Sequence, residues 1–201
     1  MEFQEVVRKR RMYREFDPER PVPREALERI VTNGTRAPSA GHAQGWGFLV
    51  LDTPEDTATF WEVTNRSGQE ERTGSSSMHT APAIIVPFAH KQAYLDRYAQ
   101  PDKGFPPNYE ARWRIPHWYV DTAYASLLMQ LTVVDEGLGA IFFSVRDPRG
   151  LWEAFGVPEA FDPIGALAIG YPRETAPPKR AGRKPKDEVV HWGRWRRAGS
   201  G

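Results

Sequence analysis

The chain has 201 residues, 40% of them hydrophobic and 26% charged, with a formal net charge of +1. That is enough chain for one good-sized core, and the bulk charge selects no polyanionic partner. The absence of cysteine excludes a disulfide framework, a thiolate nucleophile and any Cys-ligated metal or iron–sulfur site.

Phe3, Val6 and Val7 at helical spacing predict a short helix ending in the basic cluster Arg8-Lys9-Arg10. Asp17-Pro18 and Pro21-Val22-Pro23 mark a turn. Pro23 then suits the first position of a helix from Arg24 to about Asn33, with Ala26, Leu27, Ile30 and Val31 on one face and Gly34 as its stop. Residues 37–45 are small and turn-prone and read as a loop, which feeds a strand over 46–51. Thr53, Pro54 and Asp56 form a helix start with a capping box, and that helix carries Phe60, Trp61 and Val63. The polar stretch 65–80 is expected to be a mobile surface loop. The continuous apolar run 81–88 predicts a buried strand.

Residues 91–119 mix Tyr94, Tyr98, Phe105, Tyr109, Trp113, Trp118 and Tyr119 with prolines and charges, as lids and interface flaps do. A purely structural flap fits the same composition. The longest helix is expected over about 121–136. Leu127, Leu128, Leu131 and Val134 form its apolar stripe, and Ala123, Ala125 and Ser126 permit close packing. Gly137-Leu138-Gly139 ends it and leads into a strand over 140–145, then a short helix ending near Phe155-Gly156, then a last core strand over 164–172. From Arg173 the tail is basic and carries Trp192 and Trp195. Residues 1–197 are read as one domain and 198–201 as a disordered tail. Helices and strands are mixed without regular alternation, so the expected class is α+β.

Four stretches invite chemistry. Arg8 to Arg14 places cations at a helix-to-turn junction, suited to a phosphate or equally to a solvated basic helix end. The loop 38–44 offers small residues for close backbone approach, with Ser39, His42 and Gln44 able to read the polar edge of a flat ligand. It also reads as a plain connection. Gly137-Leu138-Gly139-Ala140 is neither a GxGxxG element nor the opening of a helix, which excludes a dinucleotide-binding Rossmann turn. The tail 183–190 is either functional or a solvated or nucleic-acid-binding extension. The histidines at 42, 79, 90, 117 and 191 have no metal-ligand spacing, so no metal is expected. No nucleophile elbow or Walker loop is present. No apolar run approaches the roughly 18 residues of a membrane span. The N-terminus lacks the basic-then-apolar pattern of a secretory leader, so a cytoplasmic location is expected.

In sequence order these motifs resemble the nitroreductase family. They are Arg10-Arg11-x-x-Arg14-x-Phe16, Pro38-Ser39-x-x-x-x-Gln44-x-Trp46, Gly137-Leu138-Gly139, Gly170-Tyr171-Pro172, and Arg183-Lys184-Pro185-x-Asp187-Glu188-Val189-Val190-His191-Trp192. The resemblance spans about residues 3–195. It implies a central, mainly antiparallel sheet flanked by helices. It also implies an intertwined homodimer in which the C-terminal extension of one subunit completes the other's sheet, with FMN at the interface. By position, Arg10 and Arg11 would hold the phosphate and ribityl chain, and Arg14 would face the N1/O2 edge, where a cation stabilises the anionic reduced flavin. Pro38, Ser39 and Ala40 would line the ring from the partner subunit. The backbone of Phe143, Ser144 and Val145 would reach the N5 edge, and Arg183 would close on the phosphate. Met12 and His42 also fall at cofactor-binding positions, where the family often has Ser and Asn. Gly45 stands where Pro is common, and Ser144-Val145 replaces a frequent Glu-Gly pair.

The activity so implied is hydride transfer from NAD(P)H through the flavin to a small organic acceptor such as a nitroaromatic or quinone, in one shared pocket and without a protein nucleophile. The alternatives are a flavin- or deazaflavin-binding module without turnover and a specialised flavin-processing or biosynthetic oxidase of the same fold. Neither nucleic acid nor membrane is an expected partner.

Overall fold

Two runs with no polar face to offer water make the centre of the fold. β2 (Ala83–His90) is buried in all but its last residue and β5 (Ala166–Gly170) throughout. They pair antiparallel, with Ala83 opposite Ile169. β1 (Trp46–Leu51) and β3 (Gly139–Phe143) flank them in the order β1-β2-β5-β3, and β4 (Phe161–Pro163) pairs with the C-terminal end of β2. Every strand pairing is antiparallel, so the expected α+β class holds. The computed structural model describes residues 1–64, 75–106, 110, 113–145, 147–173 and 182–195. Residues 65–74 of the expected mobile loop, Tyr109 and the expected disordered tail lie outside these.

The period-2 alternation of β2 assigns its side chains to two cores. Ile85 joins Leu27, Ile30, Met129, Val133, Leu167 and Ile169 beneath α2 (Arg24–Gly34) and α5 (His117–Asp135). Ile84, Val86 and Phe88 join Phe60, Trp61 and Leu151 beneath α3 (Pro54–Thr64) and α6 (Arg149–Phe155). Helices therefore cover both faces of the sheet. α1 (Phe3–Lys9) lies against α5.

Several expectations are corrected. The central helix starts at His117, four residues before the expected Asp121. Its buried residues are Trp118, Asp121, Thr122, Ala125, Ser126, Met129, Thr132, Val133 and Val134; of the expected stripe Val134 is buried, whereas Leu127 is 47% exposed and Leu128 and Leu131 only half-buried. The buried hydroxyls of Thr122 and Ser126 donate to carbonyls four residues back, which removes the penalty of burying them. The small-residue face can then lie close to α2, and the leucine stripe turns outward. Part of the stretch 91–119 is an ordinary helix, α4 (Lys91–Tyr98). Residues 75–80 form a 3-10 turn, and the Thr80 hydroxyl is within hydrogen-bond distance of both the N–H and the C=O of Phe16. β4 had no signal of its own, being three residues long. In the tail a single turn, α7 (Lys186–Val189), precedes Trp192 and Trp195, which are 79% and 83% exposed. No helix among the described residues is long and apolar enough to cross a membrane.

Candidate active site

The basic segment leaves α1 at Arg10, whose N–H still donates to the Val6 carbonyl, and then runs along the outer edge of β3. Met12 bridges Ala140, and the Tyr13 N–H donates to the Ala140 carbonyl at 3.0 Å. Phe16 pairs with Pro172. Close approach is possible because the strand offers glycine: a Cβ on Gly139 would stand 2.7 Å from Pro172 Cγ and 2.8 Å from Tyr13 Cδ2. The Met12 side chain turns inward onto Phe16, Ile141 and Ala168. Arg10 and Arg11 are half-buried and Arg14 is exposed.

Some arginines elsewhere have carboxylate partners: Arg29 with Glu136 at 2.6 Å, Arg97 with Asp102 at 2.8 Å and Arg149 with Asp147 at 2.7 Å. Among the described residues no ion pair joins Arg10, Arg11, Arg14 or Arg183 to a carboxylate. A half-buried guanidinium without a counter-ion is costly, and its fork of donors matches phosphate geometry.

The loop 38–45 is tied from within. Ala40 N–H and the Tyr94 hydroxyl both donate to Oδ2 of Asp121, each at 2.8 Å. Asp121 is 3% exposed and Tyr94 fully buried. Burial first, and the Asp121 carboxylate second, push the Tyr94 phenol far above its ordinary range. Arg97 Nε donates to the Gly41 carbonyl at 2.8 Å. Gln44 N–H donates to the Ser39 hydroxyl at 3.0 Å, and Gln44 Nε2 lies 3.1 Å from His42 Nε2. Gly41, His42 and Gln44 all adopt left-handed backbone, with φ of +63°, +57° and +49°. Gly45 packs under the Tyr94 ring, where a Cβ would also stand 2.7 Å from the His90 carbonyl oxygen. Of the three polar side chains expected to read a ligand edge, Ser39 and Gln44 are thus partly engaged within the loop, and Nδ1 of His42 points to no partner within it.

Tyr94, Arg97 and Asp121 were not singled out from the sequence. The available signal was Asp121 itself, a carboxylate in the N-terminal half of the long helix, where an ionisable group is buried only with partners.

β3 ends in Phe143, whose ring stacks on Trp61 at 5.3 Å and meets Phe60 edge-on at 6.2 Å. Trp61 in turn stacks on His79 at 4.2 Å. Ser144 is exposed, and Val145 is half-buried against the core beneath α3. Residues 143–145 and the basic segment therefore share the β3 edge. The loop 38–45 precedes β1, at the opposite edge. With strands roughly 4.8 Å apart, four spacings separate Met12 from β1 by about 19 Å. One protomer does not bring the two halves of the expected site together. No group of three or more potential metal ligands occurs among the described residues.

The described residues thus form an antiparallel sheet clad by helices on both faces, with arginines that have no ion-pair partner among them along one edge and a small-residue loop at the other. The chain belongs to the nitroreductase family, whose sequence model matches residues 7–171, and is an oxidoreductase. It is 28% identical over 204 residues to an NADH dehydrogenase of Thermus thermophilus, covering 92% of each chain. It is 37% identical over 183 residues to the CLA biosynthesis enone reductase of Lactiplantibacillus plantarum, covering 83% of each. Its fold matches that of an Exiguobacterium sibiricum protein described as a nitroreductase and solved in complex with FMN, with a TM-score of 0.72, 22% identity and coverage of 96% and 97%.

Proposed function

We propose that the protein is a homodimeric FMN-dependent oxidoreductase that carries hydride from NAD(P)H to a small organic acceptor. The observation that carries this reading is the pair Arg10 and Arg11, half-buried without a carboxylate among the described residues on a segment pinned to β3 by backbone bonds. An anionic group of the ligand completes such a site, so the donor set fits the FMN phosphate. The separation of the two sheet edges favours a site shared between subunits. The outward leucine stripe of α5 offers the apolar surface for that dimer.

When bound, FMN supplies the two-electron transfer between nicotinamide and acceptor. Arg10 and Arg11 would hold its phosphate and ribityl chain, with Met12 contributing backbone only. Arg14 would supply a fixed positive charge beside the reduced ring. The backbone of Phe143, Ser144 and Val145 would line the ring on the hydride-accepting side, and Arg183 would close over the phosphate. Pro38, Ser39, Ala40 and His42 of the partner subunit would cover the ring and exclude water. No side chain acts as a nucleophile. The acceptor is a conjugated, electron-poor molecule. Nitroaromatics and quinones fit that description, and the similarity to an enone reductase adds alkenes conjugated to a carbonyl.

The test is spectroscopic. Protein reconstituted with FMN should retain a flavin band after desalting, and anaerobic NADH or NADPH should bleach it. Arg14→Gln should retain oxidised FMN but lower its reduction potential, because the fixed cation is lost where negative charge develops. Failure to retain FMN would overturn the reading. Retention without bleaching by either nucleotide would leave a binding module in its place.

A further inference from the structure

The buried Tyr94–Asp121 pair plays no part in the chemistry above, yet both groups converge on the loop that would cover the flavin. Three residues of that loop, Gly41, His42 and Gln44, are left-handed. For the two that are not glycine this geometry is unfavourable and persists only where the surroundings over-determine it. The surroundings here are specific. Asp121 Oδ2 accepts both the Ala40 N–H and the Tyr94 hydroxyl, and Arg97 reaches the Gly41 carbonyl while Asp102 holds its other end bidentately at 2.8 Å. The loop is thus fixed at two peptides, Ser39–Ala40 and Gly41–His42, by α5 and α4.

We propose that Tyr94 and Asp121 are positioning residues of the cofactor site, holding residues 39–44 in the left-handed shape that the partner subunit's flavin meets, through a single shared carboxylate oxygen. This rests on the FMN reading above. A loop shaped in advance spends no binding energy on ordering, so each protomer's brace sets the affinity of the other protomer's site. Both donors meet one oxygen, so the geometry asks for an acceptor at that point. An amide oxygen at the same place serves both.

The experiment compares wild type with Tyr94→Phe, Asp121→Asn and Asp121→Ala. It measures FMN dissociation constants by flavin fluorescence at 25 °C, with circular dichroism and the melting temperature of the FMN-free proteins as controls. Asp121→Ala should weaken FMN by about tenfold or more and Tyr94→Phe by about three- to tenfold, the range expected for lost buried hydrogen bonds. Asp121→Asn should stay within about threefold of wild type. A purely structural role predicts lower melting temperatures with unchanged FMN affinity in the folded variants, and that result overturns the proposal. Equal losses in Asp121→Asn and Asp121→Ala overturn the single-oxygen account. If Asp121→Ala does not fold, Tyr94→Phe, which removes one hydroxyl and leaves the ring in place, decides alone. If wild type itself binds no FMN, the functional reading fails rather than the brace.

Discussion

Gly139→Ala tests whether the arginine segment owes its place to a missing side chain. The new methyl would stand 2.7 Å from Pro172 Cγ and 2.8 Å from Tyr13 Cδ2, against an ordinary carbon–carbon contact of about 3.5–4.0 Å. Neither neighbour yields easily. Tyr13 is tied to Ala140 through its N–H, and Pro172 to Phe16 across a bridge. Overpacking of this kind costs about 1–3 kcal/mol. The alanine also restricts the unfolded chain, which offsets about 0.4–1 kcal/mol. A net loss of about 1–2 kcal/mol remains, or about 2–8 °C of melting temperature for a chain of this size. Since residues 10–14 must move to relieve the clash, FMN affinity should fall as well, by about tenfold. Gly137→Ala is the control. Gly137 has φ of +74° and no atom near its would-be Cβ, so it should lose about 1 kcal/mol through backbone strain alone and keep its FMN affinity. Scanning calorimetry of the FMN-free proteins and fluorescence titration with FMN separate the two. Wild-type stability and affinity in Gly139→Ala, or an equal loss of FMN binding in Gly137→Ala, would refute the reasoning.

Arg10→Ala and Arg183→Ala should each weaken FMN by about tenfold or more through lost charge-assisted bonds. Unchanged affinity in both by titration would make them solvated surface cations. Leu127→Asp, on the outward face of α5, should yield a monomer by light scattering that no longer retains FMN. A dimer of wild-type strength would place the interface elsewhere. Glu136 is held below its ordinary carboxyl value of 4.5, first by its hydrogen bond to Arg29. A depressed carboxylate stabilises the fold above its unfolded value and loses that contribution as pH falls through the folded one. The melting temperature of wild type should therefore exceed that of Glu136→Gln by a small margin at pH 7, and the margin should shrink as pH falls below 4.5. A margin that grows on acidification contradicts the ion pair.

What could be read locally was read correctly from the chain itself. The apolar run 81–88 predicts a buried strand, and β2 occupies Ala83–His90. Ala26, Leu27 and Ile30 repeat at helical spacing, and all three are buried. Gly137 follows the last helical turn in left-handed geometry. The order of the motifs was also enough to mark the family. The orientation of α5 is misread from the sequence, because its apolar residues are spread nearly all round and the leucine stripe stands out as the buried face. Only the fit of Ala125 and Met129 beneath α2 and the sheet turned Leu127 outward. Nor could the sequence show that Gly139 matters for the space it leaves rather than for a turn, since that depends on Tyr13 and Pro172 arriving from distant parts of the chain. The same holds for Ala40 and Asp121, which lie 81 positions apart. Spacing and composition record what a residue can do with its near neighbours, and these contacts are made between segments that only the packed sheet brings together.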